Sequence, residues 1–249
     1  MTTEERPTSG EPPASRDAAY WADPTARLHV GDAADGSDPT SVEGRRIAGP
    51  LQGFGKMWQK TYRISLEGSE ASPQEVVAAW KQRFGEFWPD TSVFYAPMSG
   101  VEPGEVALIT DRAPGGVKLS TGVFVLYADE VSFTFLTPEG HPFAGMITFS
   151  AERNEDGVTV AQVREIIRAQ NPFVEMTMPF YTHRKQDKIW FHVLNSVAGH
   201  FDAEAEPEKD IVCVDKKRQW RHVGNVRYDA VLHALLRPFR RGNKPRDAD

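Results

Sequence analysis

The sequence predicts an α+β domain in which a curved antiparallel sheet packs on a long C-terminal helix. Three observations carry that expectation. Residues 117–170 hold four β-patterned runs, VKLSTGVFVLYAD, VSFTFLT, FAGMITFSAE and GVTVAQVREIIRAQ, rich in β-branched and aromatic residues and joined by short breaks. A helical stripe, Ile189, Trp190, Val193, Leu194 and Val197, follows them and reaches about Phe201. Ahead of both, Met57 to Leu66 alternates as a half-buried strand and leads straight into a strong helix start.

Residues 1–40 carry Pro7, Pro12, Pro13, Pro24 and Pro39 among acids and small polar residues, and read as a mostly disordered acidic arm. Trp21, Leu28 and Val30 are the residues able to pin part of that arm to the body. A globular domain is expected over 41–202, opening with VEGRRIAGPLQGFG as a short strand and glycine-rich turn. On the next strand Trp58, Tyr62, Ile64 and Leu66 share one face, which also includes Lys60. Ser72 with Glu75 forms a capping box, and Pro73 occupies the first helical position. Val76, Trp80, Phe84, Phe87 and Trp88 then make one aromatic face of a helix of about four turns, stopped by Pro89. Short strands are predicted at Val93–Tyr95 and Glu105–Thr110, a turn at residues 112–116, and an Asp-Gly hairpin at residues 154–157.

Charge divides the C-terminal part, read as an extension over 203–249. Residues 202–215 carry Asp202, Glu204, Glu206, Glu208, Asp210 and Asp215 against Lys209 alone, whereas residues 216–246 carry ten Lys and Arg against Asp229 alone. In the basic part Val226, Val231, Leu232, Leu235, Leu236 and Phe239 suggest a short amphipathic helix broken at Pro238. Net charge is −6 and apolar residues make up 40%, the composition of a globular protein with no global pull toward nucleic acid. No run reaches the roughly 18 apolar residues of a membrane span, and the N-terminus lacks the pattern of a signal peptide. A lone cysteine, Cys213, leaves no internal disulfide or cysteine-based zinc site and fits a reducing cytoplasm.

At the centre of the four-run meander stands the turn Thr137-Pro138-Glu139-Gly140-His141-Pro142. The segment FTFLTPEGHPFAG, with Gly140-His141-Pro142, resembles an uncharacterised bacterial branch of the START and birch-pollen-allergen (SRPBCC) superfamily. The resemblance covers roughly residues 42–202. It departs from that branch at Phe143 and Ala144, where acidic or polar residues are frequent, which removes a charged neighbour from His141. What the resemblance implies is a helix-grip fold whose cavity takes lipids, sterols or polyketide-like molecules, with catalysis in only some members.

His141 has two readings: a polar group at a pocket mouth, or a turn residue bonded to nearby backbone, the reading favoured by Pro138 and Pro142 on either side. Trp58, Tyr62, Phe124, Tyr127, Phe133, Phe135, Phe149 and Trp190 are the aromatic candidates for lining a cavity, set against simple core packing. His183 and Asp187 stand four apart on one helix face, but His192 falls two and a half turns along and faces away, so no metal is expected. Cys213 lies in the alternating run IVCVD, where a buried inert thiol is the default. Phosphate-loop, dinucleotide and nucleophile-elbow spacings are missing, and no cofactor is expected.

The function expected is non-catalytic binding of a hydrophobic small molecule in an internal cavity. Two alternatives stay open. One is a cyclase- or hydratase-like enzyme using the same cavity, with His141 or a tyrosine as acid–base group; an all-apolar lining would exclude it. The other is contact with an anionic membrane surface through the basic tail, nucleic acid being the weaker partner.

Overall fold

The computed structural model describes residues 18–31, 36–112, 118–178 and 183–229. Strand β1 (Met57–Ser65) leads to helix α1 (Pro73–Phe87), then β2 (Val93–Tyr95), β3 (Val106–Arg112), β4 (Lys118–Ala128), β5 (Ser132–Leu136), β6 (Phe143–Arg153) and β7 (Thr159–Ala169). Helices α2 (Pro172–Thr177) and α3 (His183–His200) precede β8 (Glu208–Asp215) and a 3-10 segment, Trp220–Tyr228. Among the described residues the strands form one eight-stranded sheet, ordered β2-β3-β4-β5-β6-β7-β1-β8, and each neighbouring pair is antiparallel. Both α1 and α3 cover the same face, and the curved sheet closes around them as a helix grip. No helix among the described residues is long and apolar enough to cross a membrane.

Helix α1 begins where its first turn is satisfied. Ser72 Oγ accepts from the Glu75 N–H at 3.3 Å, and Glu75 Oε2 accepts from the Ser72 N–H at 2.8 Å. Its apolar stripe then buries Val76, Val77, Trp80, Phe84 and Phe87 against the sheet. Helix α3 adds Trp190, Val193, Leu194 and Val197 to the same cluster beside α1. Between them Phe84 packs at 5.1 Å from Phe149 and 4.4 Å from Phe94, so one aromatic cluster joins helix and sheet. Full burial of each such ring contributes on the order of 2–3 kcal/mol.

The outer face is covered near β3, β4 and β5 by the N-terminal segment. Leu28 is buried there with Val42, Val106, Leu108 and Phe124, while Trp21 packs against Tyr127 with ring centroids 4.6 Å apart. Ala22 N–H donates to the Leu126 carbonyl at 2.9 Å. Residues 18–31 of the expected disordered arm therefore lie against the body, and residues 1–17 fall outside the described residues. The short strand expected from VEGRRIAGPLQGFG reduces to one bridge, Ile47 to Pro138.

The domain end expected at residue 202 gives way to an eighth strand. The run IVCVD supplies a ladder for the open edge of β1, pairing Trp58 with Cys213 and Lys60 with Ile211. Cys213, read from sequence as buried, is half-buried because β8 lies at the sheet edge. Beyond it, Arg168 Nη2 donates to Asp215 Oδ2 at 2.5 Å, and Gln219 N–H donates to the Phe54 carbonyl at 2.7 Å. The predicted turn over residues 113–116 and the tail residues Val231 to Phe239 and Arg237 to Arg246 lie outside the described residues.

Candidate functional site

A cavity of about 310 Å³ opens between the concave face of the sheet and helices α2 and α3. Phe84 and Trp88 close it at the end of α1, and Leu119, Thr121 and Val123 enter from β4. The β5–β6 turn adds His141, Pro142 and Phe143, and α3 adds Gln186, Ile189 and Trp190. Phe173 on α2, 43% exposed, marks where the cavity meets solvent, beside the ion pair of Lys185 with Asp111.

Polar groups gather on one wall. The register of β1 on β7 sets Lys60 directly opposite Glu165, and both are 0% exposed. Glu165 Oε1 accepts from Gln186 Nε2 at 3.1 Å and from Trp190 Nε1 at 2.8 Å, two donors one turn apart on α3. Lys60 Nζ donates to Gln186 Oε1 at 2.7 Å, so the amide links the lysine to the carboxyl. Among the described residues, Glu165 Oε2 is buried without a partner. Next to this cluster Asp187 accepts from Tyr62 Oη at 2.7 Å and from Lys209 Nζ at 2.6 Å, with Lys60 Nζ 3.9 Å away.

Burial sets the charges. It pushes the Glu165 carboxyl up to about 7, against the opposing pull of Lys60 and the Trp190 bond. Burial likewise lowers Lys60, with Glu165 and Asp187 opposing. At Asp187 burial acts upward but is outweighed by the bonds from Lys209 and Tyr62, which hold the carboxylate low. Tyr62 is driven up, first by burial and then by the charges of Glu165 and Asp187. A carboxyl that titrates near neutrality in an apolar wall can act as hydrogen-bond donor, acceptor or proton carrier.

Of the residues expected to line a cavity, Phe135, His141, Phe149 and Trp190 do so. Phe133 sits one layer behind, stacked on Phe149 at 4.8 Å. Tyr62 is in the core with its hydroxyl on Asp187, and Trp58 packs edge-on to His183 at 5.0 Å beside Phe143 and Ile167. Phe124 and Tyr127 belong to the opposite face. On β4 Leu119, Thr121 and Val123 point inward, which turns Phe124 out; a register shift between Val125 and Tyr127 turns Tyr127 out as well.

His141 is held by the backbone: its Nδ1 lies 3.0 Å from both the nitrogen and the oxygen of Phe143. Burial lowers it to about 4, so it is neutral at physiological pH. Glu139, its nearest carboxylate in sequence, is bonded to Arg46 instead. Gly140 adopts φ +92°, and a Cβ there would come within 2.6 Å of the Tyr228 carbonyl, which explains the glycine of the Gly-His-Pro turn. Glu165, Lys60 and Gln186 were not singled out from sequence as site residues. Their signal was parity: Glu165 stands between Val163 and Ile167 on the buried face of its strand. No group of three or more metal-ligating side chains converges among the described residues.

A family profile described as a domain of unknown function (DUF1990) matches residues 71–195. Among solved structures, Ms6760 from Mycobacterium smegmatis is similar at 12% identity, covering 70% of this chain and 98% of that one with a TM-score of 0.41. A START superfamily protein from the same organism matches at 15% identity over 59% of this chain and 98% of that chain, TM-score 0.41. The di-domain ARO/CYC StfQ from the steffimycin biosynthetic pathway matches at 11% identity over 59% of this chain and 51% of that chain, TM-score 0.42. No curated protein matches the chain.

Proposed function

Since the chain belongs to the DUF1990 family, whose function is unknown, we propose from its own cavity that it binds a hydrophobic small molecule, lipid- or polyketide-like, without transforming it. One observation carries this reading: a cavity of about 310 Å³ whose wall is aromatic and aliphatic on nearly every element, with polar groups confined to a few positions. Ligand pockets have that composition because apolar surface supplies affinity and a few polar atoms supply orientation. Phe84, Phe135, Phe149 and Trp190 are held by their own packing around the space, so an occupant meets a preformed wall.

Native mass spectrometry of protein purified from its own host tests it. The expected result is a mass increment from a co-purifying lipophile, and saturable uptake of 1-methylnaphthalene by the stripped protein. A ligand-free protein that also fails to take up the probe would overturn the reading. The buried carboxyl favours a second reading, an enzyme in which Glu165 moves a proton within the same cavity. Recovery of the bound lipophile chemically unchanged after prolonged incubation counts against that alternative.

A further inference from the structure

We propose that the occupant of the cavity carries a hydroxyl group that hydrogen-bonds to Glu165 Oε2. The inference rests on the cavity being a binding site. Two N–H donors, Gln186 Nε2 and Trp190 Nε1, already point at Oε1, so any proton on the carboxyl sits on Oε2. Oε2 is buried and has no hydrogen-bond partner among the described residues, and Glu165 forms part of the cavity wall. An unpaired buried oxygen is costly, and a polar group carried in by an occupant relieves that cost.

The chemistry of that group follows from the proton. With the carboxyl titrating at about 7, Oε2 is an O–H donor on the acid side and an acceptor on the basic side. A carbonyl pairs only with the donor, and an ammonium only with the acceptor. A hydroxyl pairs with both. The ionisable groups around Glu165 leave this open. Lys60 on β1 bonds to Gln186 rather than to the carboxylate. Tyr62 on β1 and Lys209 on β8 are both bonded to Asp187 on α3, and burial keeps His183 neutral by lowering it to about 4.

Calorimetric titration with 1-naphthol, its methyl isostere 1-methylnaphthalene, and the acceptor-only 1-acetonaphthone tests the proposal. The preference for naphthol over the methyl isostere is expected to be about tenfold larger in wild type than in Glu165→Leu, the worth of one hydrogen bond to an ionisable group. Acetonaphthone should bind wild type about tenfold more weakly at about pH 8 than at about pH 6, as the protonated fraction falls, and should lose that dependence in Glu165→Gln. Equal preferences in wild type and Glu165→Leu overturn the hydroxyl contact while both compounds still bind, which leaves the cavity reading standing. Binding of none of the three to wild type overturns the cavity reading and the proposal together. If Glu165→Leu does not fold, Glu165→Gln decides: pH dependence that persists in this variant overturns the proposal, and its loss supports it.

Discussion

A carboxyl sealed behind Trp190 and Gln186 makes the stability of the fold depend on pH in an unusual direction. Glu165 has an ordinary value of 4.5 and is raised to about 7 in the folded chain. The folded state therefore holds a proton that the unfolded state releases between those values. That contribution to stability is fully present below about 4.5 and is lost as pH rises through about 7. Its size is about 3 kcal/mol. Glu165→Gln has no such proton to lose. Urea unfolding at several pH values should thus find the variant gaining about 3 kcal/mol relative to wild type between about pH 4.5 and about pH 7.5. A constant difference across that range would mean that the carboxyl is not raised. Alternation alone set Lys60 and Glu165 on inner faces. It could not set them opposite each other, because the pairing depends on the register of two strands about a hundred residues apart in the chain.

Helix α1 and strand β8 show what local patterns carry and what they miss. The start of α1 could be read residue by residue, since its cap is made by Ser72 and Glu75, neighbours in sequence. Ser72→Ala removes that reciprocal pair and should destabilise the fold by about 1 kcal/mol, seen as a lower urea midpoint at unchanged slope. The four-run meander was similarly plain, because alternation and turn residues are local signals. Strand β8 was obscured by its acids. Only the open edge of β1, a product of the assembled sheet, makes a strand of that segment. On β4 a single extra residue reversed the side of Tyr127, and no periodic rule locates a bulge.

At the scale of the whole molecule, sheet and helices enclose space that the described residues leave unfilled, and such space has a thermodynamic use. A compound that binds the folded state alone stabilises it by mass action, by about 2.7 kcal/mol at a hundredfold excess over Kd. Saturating 1-methylnaphthalene should therefore raise the melting temperature in a concentration-dependent way, in Glu165→Gln as in wild type, since the apolar wall is common to both. A melting temperature that does not move up to the solubility limit of the compound would mean that it does not bind, as expected of a cavity that closes in solution. The fold class was evident from sequence because strand and helix periodicities add up over many residues. The cavity was not, since it depends on where large side chains stop short of one another.

One consequence of the eighth strand concerns other molecules of the same protein. Among the described residues β8 ends the sheet, and its Val212 and Val214 are 47% and 55% exposed. A long apolar edge of that kind templates aggregation by recruiting further strands. Here Glu208 and Asp210 punctuate it, and a second copy approaching in register would bring like charges together. The acids that mark this segment as part of a charged extension thus act as gatekeepers for colloidal stability.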